Sequence, residues 1–142
     1  MPTLIFPYLS FPKRNPKTRE IIGETSFPFI PVRIIYQHRL YPNPINCLID
    51  SGAEKNLFPA FFGERIGLKV KKGKQQDIRG IGGVKIKGFT HNVRFYVDTL
   101  VFETNVDFSY EQEVPLLGRI GFFDKFRRVT FKEKENIVEL ER

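Results

Sequence analysis

The sequence is poor in the side chains that most often bind metals, with one cysteine and two histidines in 142 residues. A single cysteine excludes an intrachain disulfide framework and a zinc site built on paired cysteines. Cys47 lies inside an apolar run and is interpreted as a core residue, and neither His38 nor His91 has a nucleophile partner beside it. We therefore expect no metal site and no cofactor.

Long apolar runs are also missing from the sequence. No stretch approaches the roughly 18 residues that a membrane-spanning helix needs. The N-terminal sequence MPTLIFPYLSFPKRNPK is broken by prolines and has no charged residue before its apolar part, so it does not have the pattern of a secretory signal peptide. The expectation is a soluble, cytoplasmic protein without a membrane partner.

Negative charge is in deficit, because the formal net charge of the chain is +7. Basic residues cluster at 69–74, which reads KVKKGK, and near the N-terminus. Such clusters can bind phosphate chains, but no helix-turn-helix, RRM or zinc-finger pattern accompanies them. We interpret 69–74 as a solvated loop and do not expect a nucleic-acid partner.

Phenylalanine is abundant, with 15 copies and no tryptophan, which predicts an aromatic-rich core. The length fits one domain that can bury such a core. Residues 1–24 contain four prolines and no clear hydrophobic period, so we predict an extended N-terminal arm there and a folded domain over residues 25–142.

Most of the predicted domain has the composition of β-strands. Residues 60–68 (AFFGERIGL) are the one plausible short helix, and residues 74–89 suggest a hairpin with a glycine-rich tip. Strands are predicted at 29–37, 45–49, 93–97, 100–106, 128–131 and 136–140. Many short strands with a single helix predict an all-β, closed structure.

A carboxylate directly follows one of these apolar strands. Residues 47–58 read CLIDSGAEKNLF, so that Asp50 stands at the end of the run Cys47-Leu48-Ile49. We expect an Asp at this place to be partly desolvated and therefore sensitive to its neighbours. The small residues that follow, Ser51 and Gly52, allow a tight turn around the carboxylate.

The segment Ile49–Ala53 resembles the Asp-Thr/Ser-Gly-Ala signature of the retropepsin-like aspartic proteases. Val114–Arg119 (VPLLGR) resembles the apolar-apolar-Gly-Arg element of that family, and its Gly118 lies 68 residues beyond Asp50. The glycine-tipped hairpin lies between them, where the family has its flap. Residues 121–126 and 129–131 resemble the C-terminal part of bacterial, single-domain members, and the whole match covers roughly residues 27–140.

The resemblance implies a closed retropepsin-like β-barrel, one half of an acid protease, that is active as a two-fold dimer. In an aspartic protease a base activates a water molecule while an acid protonates the peptide carbonyl oxygen, and two close carboxylates that share one proton can supply both roles. The chain has one Asp-Ser-Gly, so the second carboxylate must come from another copy. The implied activity is an aspartic endopeptidase that cleaves peptide or protein substrates.

The resemblance also implies roles for the residues near Asp50. Ser51, Gly52 and Ala53 would support the catalytic loop, and the backbone of residues 52–54 would line the cleft. Glu54 and Arg119 would form an ion pair that braces this loop. In the flap, the resemblance implies substrate contacts for Ile81, Gly82 and Gly83.

Two positions depart from the family pattern. Ile120 stands where relatives often have Asp or Asn after Gly-Arg, which puts in question the local hydrogen bonding near Arg119. Ser51 replaces the commoner Thr and keeps the hydroxyl. A protease-fold binding or assembly module with little or no turnover is the alternative function.

Two other patterns are interpreted as structural. The acidic stretch Glu103, Asp107, Glu111 and Glu113 lacks the tight oxygen-ligand spacing of a hard-cation loop, so we predict a solvated face. Gly80–Gly83 (GIGG) lacks the following Lys-Ser/Thr and does not begin a helix, so it is not a phosphate-binding loop.

Overall fold

The computed structural model describes residues 3–142, which form thirteen β-strands and one α-helix. The helix, α1 (Ala60–Arg65), follows the seventh strand. The strands are β1 (Thr3–Pro7), β2 (Leu9–Arg14), β3 (Ile21–Phe27), β4 (Phe29–Tyr36), β5 (Arg39–Leu40), β6 (Ile45–Ile49), β7 (Leu57–Pro59), β8 (Lys74–Arg79), β9 (Lys85–Val97), β10 (Leu100–Ser109), β11 (Leu116–Leu117), β12 (Arg128–Lys132) and β13 (Ile137–Glu141).

The largest sheet closes into a barrel, which confirms the predicted closed all-β structure. Its strand order is β5-β4-β6-β11-β7-β10-β9-β8, and an additional pairing of β4 with β9 joins the two sides. Six strands (β4, β6, β11, β7, β10 and β9) therefore form a ring, with β5 and β8 attached outside it. Closure leaves the ring strands without free edges.

The barrel interior is filled by alternate residues of its strands. In β4, Ile30, Val32 and Ile34 are fully buried, and in β6 the inward positions include Cys47. This period-two pattern is what a strand with one buried face requires. Buried aromatic rings fill the remaining space, and they include Phe58, Phe95, Phe108 and Phe122. The aromatic-rich core is therefore confirmed.

In the described part of the predicted arm, residues 3–24, most residues lie in β-strands that pair with other strands. β1 pairs with the C-terminal strand β13 in a three-stranded sheet, β1-β13-β12, because alternate residues such as Leu4 are apolar and buried. β2 and β3 form a separate two-stranded hairpin. The predicted boundary at residues 24/25 falls inside β3, and the division into an arm and a domain stays a prediction.

The predicted helix exists, but it ends at Arg65 rather than near Leu68. Gly67, with φ +90°, reverses the chain after it, and Leu68 turns back into the core. The basic segment 69–74 is not wholly a solvated loop. Val70–Lys72 forms a short 3-10 turn in which Val70 is buried while Lys71 and Lys72 stay exposed.

Two further findings apply to residues 3–142 alone. No helix there is long and apolar enough to cross a membrane. No group of three or more Cys, His, Asp or Glu side chains in this part of the chain is arranged to hold a metal ion.

Candidate active site

Asp50 stands at the end of β6, a strand in the middle of the barrel wall. β6 pairs antiparallel with β4 and parallel with β11. The backbone N–H of Asp50 donates to the carbonyl of Leu117 at 3.0 Å, and the N–H of Ile49 donates to the carbonyl of Pro28 at 3.0 Å. Neighbouring segments on both sides therefore hold the backbone that carries the carboxylate, whose residue is partly buried.

The carboxylate of Asp50 organises the turn that follows it. Its Oδ1 accepts a hydrogen bond from the N–H of Gly52 at 2.8 Å, and its carbonyl accepts one from the N–H of Ala53 at 3.1 Å. A Cβ atom at position 52 would stand 3.2 Å from that Oδ1, closer than most side chains tolerate. Gly52 thus permits the turn, and the neighbouring Ser51 is exposed to solvent.

The loop after Asp50 is bound to the Gly118-Arg119 segment through the backbone. The N–H of Arg119 donates to the carbonyl of Ala53 at 2.9 Å, and the N–H of Ile120 donates to the carbonyl of Glu54 at 2.7 Å. A side chain at Gly118 would overlap the backbone of Lys55. The Asp50 loop and the VPLLGR element, predicted from the sequence as partners, are therefore in contact.

The predicted ion pair between Glu54 and Arg119 is not formed. None of the ion pairs in residues 3–142 includes either side chain. Both residues are exposed and border an open cavity that also includes Ile120, Phe123 and Asp124. Solvated charges gain little from pairing, and the backbone hydrogen bonds already join the two segments, so the predicted side-chain brace is absent.

Asn56 is a site-supporting residue that the sequence interpretation missed. Its Oδ1 accepts a hydrogen bond from the N–H of Gly118 at 3.0 Å. Its Nδ2 donates to the Thr104 hydroxyl at 3.3 Å and to the carbonyl of Asn105 at 3.2 Å. The Thr104 hydroxyl in turn donates to the carbonyl of Gly121 at 2.6 Å. The Asn56 side chain therefore joins Gly118 to residues 104–105 by hydrogen bonds.

The predicted flap is a hairpin of β8 and β9 that turns at residues 80–84. Gly82 and Gly83 have φ of +86° and +79°, where side chains are disfavoured, although a Cβ atom at either position would meet nothing within 4 Å. The side chain of Ile81 is fully exposed. No hydrogen bond joins this tip to the Asp50 loop within the described part of the chain, so the structure does not bring the two predicted groups of residues together.

The acidic stretch is only partly a solvated face. Glu103, Glu111 and Glu113 are exposed, but Asp107 is buried, and its carboxylate accepts a 2.5 Å hydrogen bond from the Thr90 hydroxyl. The prediction was wrong for Asp107 because β10 pairs with both β9 and β7 at this residue. Glu111 accepts a hydrogen bond from the backbone N–H of Lys87 at 3.0 Å, which attaches it to the flap hairpin.

No protein-family model and no curated protein sequence matches the chain. Solved structures that are similar to the chain include two proteases. A retropepsin-like aspartic protease from Rickettsia conorii is similar over 99% of both chains, with 14% identity and a TM-score of 0.61. EIAV protease, in a complex with the inhibitor HBY-793, is similar over 66% of this chain and 82% of its own, with 23% identity and a TM-score of 0.51. The chain has the retropepsin-like fold.

Proposed function

We propose that the protein is an aspartic endopeptidase whose site is completed by two copies of the chain. The observation that supports this most is the placement of Asp50, held at the end of a central barrel strand with its carboxylate accepting the Gly52 N–H. One chain supplies one such Asp-Ser-Gly turn. A two-fold axis beside Asp50 brings the two carboxylates together.

The chemistry follows from the closeness of two like charges. Two carboxylates that lie within hydrogen-bonding reach of each other cannot both ionise readily, so they share one proton. The ionised Asp50 removes a proton from a water molecule, which attacks the peptide carbonyl carbon, while the protonated Asp50 of the other copy donates to the carbonyl oxygen. The resulting tetrahedral intermediate collapses when the amide nitrogen is protonated and leaves.

The substrate proposed for this site is an extended peptide lying between the Asp50 loops and the flap hairpins. An extended chain can add backbone hydrogen bonds to the strands on both sides. One face of the flap carries Ile78 opposite Ile86, and both are partly buried. This face favours apolar substrate side chains near the cleaved bond.

The proposal is tested by Asp50→Asn, assayed on an unbiased peptide library with and without a statine-type inhibitor. The carboxamide is nearly isosteric but cannot share the proton, so we expect an intact fold and loss of cleavage by about 10³-fold or more. Asp98→Asn is the matched control, because Asp98 is exposed in the β9–β10 turn at φ 55°, a conformation that Asn also accepts. Wild-type cleavage by Asp50→Asn, or cleavage insensitive to the inhibitor, contradicts the proposal.

A binding or assembly module is the second candidate, and the unformed Glu54–Arg119 pair together with Ile120 favours it. These two departures from the family pattern lie in one place beside the Asp50 loop. Such a module binds library peptides without cutting them. Peptide binding by wild type that Asp50→Asn retains, with no product in either case, identifies it.

A further inference from the structure

The β2–β3 hairpin pairs with no further strand among residues 3–142. It forms a two-stranded sheet by itself within residues 3–142, and nearly all of its residues are exposed. An isolated two-stranded hairpin is only marginally stable in water and normally needs an apolar surface to cover it. The hairpin therefore has surface available for a partner.

The two faces of this hairpin differ in chemistry. On one face Leu9 pairs with Phe27 and Phe11 pairs with Thr25, and the rings of Phe11 and Phe27 meet at 6.0 Å. Phe29 extends this group, 5.5 Å from Phe11 and 6.4 Å from Phe27 between ring centroids. The opposite face is polar, with the hydroxyls of Ser10 and Ser26 2.8 Å apart.

The apolar face is only half covered by its own chain. The exposed fractions of Phe11 and Phe27 are 42% and 43%. A single exposed phenylalanine is ordinary, whereas a contiguous aromatic patch on an unpaired hairpin is typical of an interaction surface.

The hairpin leaves the barrel next to the catalytic strand. Phe27 is followed by Pro28, whose carbonyl accepts the N–H of Ile49, and Phe29 lies opposite Leu48. Asp50 directly follows the last residue of that strand, Ile49. If the proposed two-fold axis passes beside Asp50, the base of each hairpin lies close to the axis and the apolar face lies within reach of the second copy.

The number of residues in a typical interface also points to the hairpin as a contact surface. A typical specific interface uses about 20–30 residues from each partner. The Asp50 loop (50–54) and the flap tip (80–84) supply five residues each, fewer than such an interface needs. An interface of that size needs further surface, and the apolar face of the hairpin lies next to the strand that leads to Asp50.

The charges of the hairpin also suit a second copy. Residues 9–27 carry Lys13, Arg14, Lys17 and Arg19 against two acidic residues, Glu20 and Glu24. The open cavity beside the Asp50 loop contains the exposed carboxylates of Glu54 and Asp124 with a single cation, Arg119. Complementary surfaces of opposite sign occur on the same chain, as a self-association requires.

We infer that the β2–β3 hairpin is the main dimerisation element, and that its Phe11–Phe27 face packs against a second copy of this chain. The inference rests on the proposed two-fold site and adds the surface that brings the two Asp50 residues together. Loss of the hairpin contact therefore removes activity by separating the subunits, without any change in the carboxylates.

The test is the double variant Phe11→Ser/Phe27→Ser, measured by sedimentation equilibrium over a range of concentrations. We expect a dimer dissociation constant raised about a hundredfold or more, because buried aromatic side chains dominate such interfaces, and activity that recovers at high protein concentration. Val101→Ser is the control, since Val101 on β10 is also 42% exposed but lies outside the hairpin; it leaves the dissociation constant unchanged.

A photo-crosslinking amino acid at position 27 gives an independent test that does not depend on a destabilised variant. Covalent dimers, with cross-linked peptides from two chains, support the inference. Crosslinks that stay within one chain, or that form only to an added peptide, overturn the inference. An unchanged dimer dissociation constant in a folded double variant overturns it as well. A wild-type protein that stays monomeric and inactive at every concentration overturns the proposed two-fold site as well, whereas an active dimer with a dispensable hairpin overturns only this inference.

Discussion

Asn56 lies six positions after Asp50, and its side chain is fully buried. Asn56→Ala removes the acceptor of the Gly118 N–H and the donor to Thr104. Each buried group that loses its partner costs about 1–3 kcal/mol. We therefore expect the free energy of unfolding, measured with denaturant, to fall by about 2–4 kcal/mol.

The matched control for this prediction is Asn92→Ala. Asn92 is exposed on β9, and its one side-chain hydrogen bond goes to the exposed Asn105. Water replaces such a bond, so its loss costs less than about 1 kcal/mol. Equal losses of stability in the two variants contradict the supporting role of Asn56.

The role of Asn56 also shows what the sequence could not predict around Asp50. The local turn follows from neighbouring residues, since Asp, Ser and Gly form it among themselves. The partners of Asn56 lie 48 and 62 residues away, so no local pattern in the sequence identifies them. The hydrogen bonds of Asn56 become visible only when its own segment, residues 104–105 and Gly118 meet in the fold.

The flap hairpin yields a prediction at the scale of one element. In Gly83→Val, a β-branched residue is forced to φ near +79°, which disfavours the present turn and restricts the opening of the tip. We expect slower turnover, by about tenfold, with a change in the free energy of unfolding of about 1 kcal/mol, since a Cβ atom at position 83 meets no atom within 4 Å.

Gly80→Val is the control at the other end of the same turn. Gly80 does not have a positive φ, and a Cβ there meets only the carbonyl of Val84 at 3.9 Å. Steady-state kinetics that show the same turnover for Gly83→Val, Gly80→Val and wild type contradict a lid function for residues 80–84.

Among the elements, those with a local signal were predicted correctly. The flap hairpin follows from alternating residues around a glycine cluster, and the short helix follows from the one run of helical period. The pairing of β1 with β13 joins residues near opposite ends of the chain. Prolines at the N-terminus predicted an extended arm, and the packing of Leu4 next to β13 is a contact that this local signal does not show.

Tyr8 connects the N-terminal segment by a hydrogen bond to the turn between β12 and β13. Its hydroxyl donates to Glu133 at 2.6 Å, and burial together with that carboxylate raises the pKa of Tyr8 to about 12. A raised pKa means that the folded state holds this proton more tightly than the unfolded chain, whose value is about 10. The stabilisation is therefore complete below pH 10 and is lost as the pH rises towards 12.

The contribution of the Tyr8 hydroxyl to the free energy of unfolding is measured with the variant Tyr8→Phe. The variant lacks the hydrogen bond, so we expect its free energy of unfolding at pH 8 to fall by about 1 kcal/mol and its loss of stability between pH 10 and 12 to be smaller than that of wild type. Tyr110→Phe, which removes an exposed hydrogen bond to Glu64, is the control and changes stability less. The same alkaline profile in Tyr8→Phe and wild type contradicts the assignment.

At the scale of the whole molecule, one chain supplies half of the proposed site. A monomer then has one carboxylate and no partner to share its proton, so specific activity falls on dilution below the dimer dissociation constant. Activity assays and analytical ultracentrifugation over the same concentrations should give the same midpoint. A sedimenting monomer with full activity contradicts the shared site and directs the search for a second acid to other carboxylates, beginning with Asp124.

Mixing inactive and active chains tests whether the two carboxylates act as one unit. Under subunit exchange, Asp50→Asn chains form heterodimers that contain one carboxylate and one carboxamide, and these cannot share a proton. With equal amounts of the two chains and random pairing, about a quarter of the dimers keep two carboxylates. We therefore expect activity to follow the square of the wild-type fraction. Activity that stays proportional to the wild-type fraction, while ultracentrifugation of tagged chains proves that heterodimers form, shows that each chain works alone.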